Sequence, residues 1–195
     1  KLPDNLDRYT SIGVGCGLGQ SQSTTDAFRQ LLKTVNRPMV IDADAINILA
    51  DNPDLQAHIP PFSILTPHLG ELKRLLGEWQ SEEEKLHLVR KFSSEKNVVL
   101  VVKGAHTMVC TPSGKCYFNS TGNSGMAKGG SGDVLTGYIA GLLSRGYDSA
   151  SAAIIGVYVH GMAGDIAAAK YGVEGMNSAD IVDCLALASF QFKVK

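Results

Sequence analysis

Short apolar runs alternate with stretches of helical spacing along most of the chain. Thr10–Val14 reads as a strand running into Gly15-Cys16-Gly17-Leu18-Gly19. Ser23–Val35 then carries Ala27, Leu31, Leu32 and Val35 at helical spacing, with Ser and Thr as capping residues at its start. Met39-Val40-Ile41 predicts a second strand before Asp42-Ala43-Asp44, and Ala45–Ala50 a brief helix closed by Asn52-Pro53. Ser63-Ile64-Leu65 repeats the pattern ahead of Thr66-Pro67-His68-Leu69-Gly70-Glu71 and a helix to Leu76. Ser81 with Glu84 three residues on predicts a capping box and a helix through Phe92. Asn97–Val102 is the most β-rich run, and Thr107–Cys110 with Lys115–Phe118 flank Thr111-Pro112-Ser113-Gly114, the turn of a hairpin. The last third reads as three helices, Ser131–Leu143, Ser149–Tyr171 and Ser178–Phe190. Alternating short strands and helices predict one α/β domain, a mostly parallel sheet covered by helices on both faces.

The 195 residues carry 18 basic and 19 acidic side chains, a net charge of −1. That balance offers no basic field for a nucleic acid or a polybasic membrane contact. No run is expected to approach the roughly 18 apolar residues of a membrane span, and the polar start from Lys1 to Asp7 does not read as a signal peptide. The cysteines at 16, 110, 116 and 184 form no Cys-x-x-Cys pair; they read as reduced thiols of a cytoplasmic protein, with a Cys110–Cys116 bridge across the hairpin left open.

Ligands of open α/β sheets bind beyond the carboxyl ends of the strands, so polar residues just after apolar strands carry the candidate chemistry. The fifteen residues Asn119–Asp133 hold five of the chain's 21 glycines and lead directly into an apolar helix. Inward-turned N–H groups and a helix N-terminus suit a phosphate there. Asp133 has two readings: a first-turn carboxylate stabilised by the helix dipole, or a base that takes a hydroxyl proton as that oxygen attacks a phosphoryl group. Gly15, Gly17 and Gly19 serve either a tight turn or a ligand loop; the run is not G-x-G-x-x-G. Asp42 and Asp44 could hold magnesium through water, while Asp44 reads equally as a helix N-cap, the reading preferred here. His68 is either structural or functional. Lys103-Gly104-Ala105-His106-Thr107 is either the solvated start of the hairpin or a ligand segment. His160 reads as packed or polar-satisfied, Glu82–Lys85 as a solvated face, and no Walker pattern occurs.

These strings occur in one order: Gly15–Gly19, Ile41-Asp42-Ala43-Asp44-Ala45-Ile46-Asn47, Thr66–Glu71, Lys103–Thr107, and Gly122-Asn123-Ser124-Gly125-Met126-Ala127-Lys128-Gly129-Gly130-Ser131-Gly132-Asp133. Together, over about residues 10–190, they resemble the ADP/ATP-dependent NAD(P)H-hydrate dehydratases, a carbohydrate-kinase-like branch of the ribokinase-like superfamily. The resemblance implies a three-layer α/β/α fold and a lyase that repairs hydrated NADH or NADPH at the expense of ADP or ATP with Mg2+. It implies Asp133 as the base, also contacting the hydrate; Gly15, Gly17, Gly19 and His68 on the hydrate; and Lys103, Gly104, Ala105, His106, Thr107, Gly130 and Gly132 on the nucleotide. Asp42, Asn47 and Asn123 are further motif positions, and no direct protein ligand to the metal is assigned. The resemblance also implies a homo-oligomer, tetrameric in some members, and an NAD(P)H-hydrate epimerase as a partner or fused domain. It leads one to expect a further strand-helix-helix segment before Thr10, so that residues 1–195 form one domain short of its N-terminal part. A small-molecule alcohol kinase of the same superfamily, acting on a thiazole or pyrimidine, and a catalytically silent nucleotide-binding module remain the competing readings.

Overall fold

The computed structural model describes residues 2 and 5–192; the remainder of the polar start and the last three positions of the expected 1–195 domain lie outside the described residues. Four short strands, β1 (Gly13–Val14), β2 (Val40–Ile41), β3 (Ile64–Leu65) and β4 (Val99–Val102), pair in parallel and in chain order. β5 (Met108–Cys110) and β6 (Cys116–Phe118) continue the sheet as an antiparallel hairpin, giving the order β1-β2-β3-β4-β5-β6.

The strands are apolar throughout because both faces of the sheet are covered. Along β4, Leu100 and Val102 enter one core with Ile41, Leu65 and the helices α1 (Gln22–Thr34), α2 (Ala43–Asp51), α3 (Leu69–Leu76) and α4 (Glu82–Lys96). Val99 and Val101 point the other way, into a second core with Val40, Ile64 and the helices α5 (Ser131–Ser144) and α6 (Ser149–Tyr171). The third layer is closed by α7 (Ser178–Gln191), which packs on α6 through Val159, Ala163, Ala167, Met176, Ile181 and Ala188. The result is the expected three-layer α/β/α arrangement with a mostly parallel sheet and a helical last third.

Three expectations are corrected. Ser149–Tyr171 is long and apolar enough to cross a membrane by length and composition, against the expectation that no run approaches that limit. Its Ala152, Ala153, Val157, Val159, Ala163 and Ala167 are instead packed on the sheet, α5 and α7, which is how a core helix comes to be apolar on several sides. The helix that opens at Ser81 runs past Phe92 to Lys96 and stops where Asn97 turns left-handed at φ 52. Ser81 accepts from Glu84 N as expected, but the Glu84 carboxylate takes the Gln80 N–H, one residue before the cap. The reduced-thiol reading stands: Cys110 and Cys116 lie opposite one another across β5 and β6, and both thiols are free.

Candidate functional site

Parallel pairing of β1–β4 delivers the residues after each strand to one edge of the sheet, where the N-terminus of α5 also arrives. Asp42, directly after β2, is the floor of this edge and is 1% exposed. Its Oδ1 accepts from Lys103 Nζ at 2.7 Å, from the end of β4, and its Oδ2 accepts from Thr136 Oγ1 at 2.8 Å, one turn into α5. Lys103 Nζ also lies 4.0 Å from Glu71, itself 4% exposed. Lys103 is therefore not a solvated hairpin residue; two carboxylates hold its ammonium at the sheet edge. Ala43, which follows Asp42, has φ 47, a left-handed conformation uncommon for alanine that turns the chain sharply from strand into helix.

Gly15 makes this floor possible. A Cβ at that position would stand 1.7 Å from the Asp42 carbonyl oxygen, so β1 and the β2 end touch backbone to backbone. The loop beyond it is tied down by Asp44, whose carboxylate accepts from Gly19 N at 2.8 Å and Gln20 Nε2 at 2.9 Å. These bonds, Gln20's first, hold the Asp44 carboxyl below the usual carboxylate range. The preferred reading of Asp44 as an N-cap is corrected: Asp42 occupies the cap position, without a side-chain cap bond, and Asp44 sits inside the first turn, free to reach sideways to the glycine loop.

His68 is the N-cap of α3. Its Nδ1 accepts from Gly70 N at 3.0 Å and Glu71 N at 3.2 Å, while Glu71 Oε2 accepts from His68 N at 2.8 Å. With Nδ1 engaged as an acceptor, the ring proton of the neutral imidazole resides on Nε2, on a side chain that is more than half exposed. The structural and the functional readings of His68 are thus compatible: one nitrogen caps the helix, and the other lies 3.3 Å from Glu71 Oε1 on a side chain that stays more than half exposed. His68 also bridges to Lys103 across the sheet edge.

The glycine-rich segment ends on Gly130, the left-handed N-cap of α5 at φ 88, with no side-chain cap bond. Among the described residues, no protein group accepts from the main-chain N–H groups of Gly129, Gly130, Gly132 and Asp133. Gly132 lies close enough to the floor that a Cβ there would be 3.3 Å from Lys103 Nζ and 3.6 Å from Asp42 Oδ2. Free N–H groups, a helix N-terminus and an ammonium therefore converge on one small region, the arrangement an anion needs. Asp133 is exposed beside it. One oxygen of Asp133, one of Asp42 and the Cys16 sulfur lie within 4.8 Å of one another. Burial, then the hydrogen bond to Asp133 and the charges of Asp42 and Asp133, push the Cys16 thiol up to about 11, so it stays protonated and donates.

The donor set fits magnesium through water. Both Asp42 oxygens already accept from protein groups, a thiol is a poor partner for a hard cation, and Asp133 is the carboxylate with room for a hydrated ion.

The other expected residues have partners of their own or stand in the open. Gly104, Ala105 and His106 form an exposed loop, where Thr107 Oγ1 donates to Gly104 O at 3.1 Å. Asn47 is buried and accepts from Arg74 at 2.7 Å. Asn123 spends its side chain on the loop, accepting from Gly125 N and donating to Asp165. Sequence reasoning passed over Cys16, Thr136, Asp165 and the part played by His160. Thr136 had a signal, since it is three residues after Asp133 on the same helical face. Asp165 had none: its contacts to Gly122 N and Asn123 Nδ2, each 2.9 Å, span more than forty residues. A cavity of about 920 Å3, lined by Phe62, Val99, Thr111, Tyr117 and Tyr147, lies at the opposite ends of the strands and shares no residue with this edge.

His160, on α6, is buried, and its Nε2 has no hydrogen-bond partner among the described residues. Burial lowers its pKa from 6.5 to about 4; a hydrogen bond to the Ser131 backbone opposes the shift and the Lys103 charge adds to it. Between those two values the unfolded chain binds a proton here that the folded protein refuses. Stability is therefore expected to fall as the pH drops from 6.5 towards 4, by on the order of 3 kcal/mol in full. Urea unfolding at a series of pH values checks this: His160→Gln should lose that part of the slope, and an unchanged slope would show that His160 does not carry it.

A family model described as NAD(P)H-hydrate dehydratase matches residues 2–187. The chain is 43% identical over 187 residues to the bifunctional NAD(P)H-hydrate repair enzyme Nnr of Moorella thermoacetica, covering 94% of this chain and 35% of that protein. It is 38% identical over 178 residues to the ADP-dependent (S)-NAD(P)H-hydrate dehydratase of Neisseria meningitidis serogroup B, covering 87% of this chain and 60% of that one. The chain thus spans between about a third and three fifths of these relatives. Among solved structures, the ADP/ATP-dependent NAD(P)H-hydrate dehydratase of Bacillus subtilis, co-crystallised with ATP and Mg2+, superposes with a TM-score of 0.82 at 29% identity, covering 96% of this chain and 67% of that one.

Proposed function

The chain belongs to the NAD(P)H-hydrate dehydratase family, and from that premise we propose that it dehydrates the S form of hydrated NADH or NADPH, using ADP or ATP as phosphoryl donor. The observation that carries the proposal is the Asp133 carboxylate standing beside the unpartnered N–H groups of the glycine-rich turn, with Lys103 Nζ next to Gly132.

The hydroxyl of the hydrated ring is unreactive as a leaving group because hydroxide is a strong base. Asp133 takes its proton, and the freed oxygen attacks the terminal phosphorus of the nucleotide, forming an O–P bond as the bond to AMP (from ADP) or ADP (from ATP) breaks. The N–H groups of the turn and Lys103 stabilise the charge on the phosphoryl oxygens during that transfer. Magnesium at this edge would be held through water by Asp133 and would supply further charge neutralisation on the phosphates. The C–O bond then breaks, phosphate carries away the electron pair, the ring nitrogen's lone pair fills the deficit, and loss of a proton from the adjacent carbon restores the dihydropyridine. Nε2 of His68 and the Gly15–Gly19 loop line the edge on which the ring would lie. An epimerase working with this chain belongs to the same proposal, supported by the bifunctional repair enzyme among the relatives.

Mixing the protein with NADH hydrate, Mg2+ and either nucleotide should restore the dihydronicotinamide absorbance and release free phosphate. A stable phosphate ester in place of restored absorbance would instead mean a small-molecule kinase, because the same turn and base serve both chemistries.

A further inference from the structure

The glycine-rich segment meets the connection between α6 and α7 at three successive points. A Cβ on Gly125 would lie 2.6 Å from Met176 Sδ and 2.7 Å from the Val173 carbonyl oxygen, and one on Gly130 would lie 2.7 Å from Ser178 Oγ. Between them, Lys128 Nζ donates to the carbonyls of Val173 at 3.3 Å, Glu174 at 2.9 Å and Met176. The two glycine contacts permit a close approach but provide no directional attraction. Lys128 provides it, spending all three ammonium donors on main-chain oxygens. Those oxygens follow the C-terminus of a 23-residue helix, where the helix dipole already favours a cation.

The place of this clamp in the chain matters more than its strength. Lys128 is followed by Gly129 and Gly130 and then by the first residue of α5; nothing surrounds the Gly129 Cβ position within 4 Å. Two adjacent glycines have the widest conformational freedom of any pair. Without a fixed point before them, the N–H groups of Gly129 and Gly130 have no fixed direction relative to those of Gly132 and Asp133. The carbonyl of Lys128 accepts from Ser131 N at 3.4 Å, which links the clamped residue across the pair to the helix start.

We propose that Lys128 is a positioning residue for the phosphate-binding turn: its three-carbonyl clamp on the α6–α7 connection fixes the Gly129–Gly130 pair so that the N–H groups of the turn converge on the terminal phosphoryl group of the nucleotide. This rests on the proposed function only in taking the turn as the phosphate site. The test uses the full chain and Lys128→Met, titrated by calorimetry with Mg2+-ADP and Mg2+-ATP and assayed for hydrate repair. The nucleotide Kd and KM should rise by about fivefold to tenfold. The KM for hydrate should stay within about twofold and Tm within about 2 °C, and Lys128→Arg should recover part of the loss. An unchanged nucleotide Kd overturns the proposal, and so does a rise in both KM values together with a fall in Tm, because that pattern marks a purely structural residue. The calorimetric arm needs no turnover. A wild-type protein that binds nucleotide without repairing hydrate therefore sinks the dehydratase reading and leaves the clamp to be judged by binding alone.

Discussion

Asp133→Asn is expected to lose about 10²–10⁴-fold in turnover while still binding nucleotide, the range a single general base contributes. Asn keeps the shape of the side chain and its place in the first turn of α5, and removes only the proton-accepting charge. Helix stability should change little. The dipole favours a carboxylate at this position by about 0.3–1 kcal/mol, but the Asp133 and Asp42 carboxylates are close neighbours, and removing one relieves their repulsion. Affinity for the nucleotide without Mg2+ should hold or tighten for the same reason, because one negative charge leaves the neighbourhood of the phosphates. The measurement is a paired one, hydrate turnover and calorimetric nucleotide binding on the same preparation. Turnover within tenfold of wild type would assign the base elsewhere; loss of both readouts would mean that Asp133 shapes the turn instead of acting on the substrate.

The sequence was most informative where local chemistry decides. The helices α1, α5, α6 and α7 begin and end within a residue or two of their expected limits, because Ser21, Asp148 and Asn177 cap with side-chain oxygens and the glycines flank the rest. The first three strands came out shorter than expected, two residues each. An apolar run marks what is buried, whereas a ladder forms only where a partner lies in register, and Gly13↔Val40 to Leu65↔Leu100 fix just that much. Ladder-like bonds continue past the ends, as in Val40 N to Ile12 O and Thr66 N to Ile41 O, so the difference is one of length and not of topology.

The site was legible as a set of loops but not as a network. The motif strings named the right strand ends, yet the ion pair that joins two of them spans 61 positions and the Thr136 bond spans 94. No local pattern encodes a partner at that distance. Asp42 and Asp44 illustrate the limit: two carboxylates two positions apart have nearly equal claims to the cap. What separates them is the left-handed turn at Ala43 and the neighbouring β1 loop, neither of which leaves a mark in the string itself.

Gly15→Ala is expected to be the most damaging single-methyl change in the protein, and the comparison with Gly17→Ala shows why. Both glycines have positive φ, +128 at Gly15 and +62 at Gly17, so each substitution strains the backbone. At Gly17 the conformation is ordinary left-handed and nothing lies within 4 Å of the new carbon, so the cost should be about 1–2 kcal/mol. At Gly15 the methyl would sit 1.7 Å from the Asp42 carbonyl oxygen and 3.1 Å from Ala45 Cβ. Neither neighbour is the end of a flexible side chain; one is backbone and the other belongs to the first turn of α2. Relief requires the Asp42 backbone to move away from β1, which carries Asp42 off Lys103 and Thr136 and leaves a buried carboxylate without its partners. Separating a buried ion pair typically costs about 3–5 kcal/mol, which adds to the strain of the contact itself. Urea unfolding of the two variants beside wild type measures the difference. Gly15→Ala should fold poorly or not at all, and any folded fraction should lack repair activity. A Gly15→Ala protein as stable as Gly17→Ala would mean that the backbone contact between β1 and Asp42 does not hold the site together.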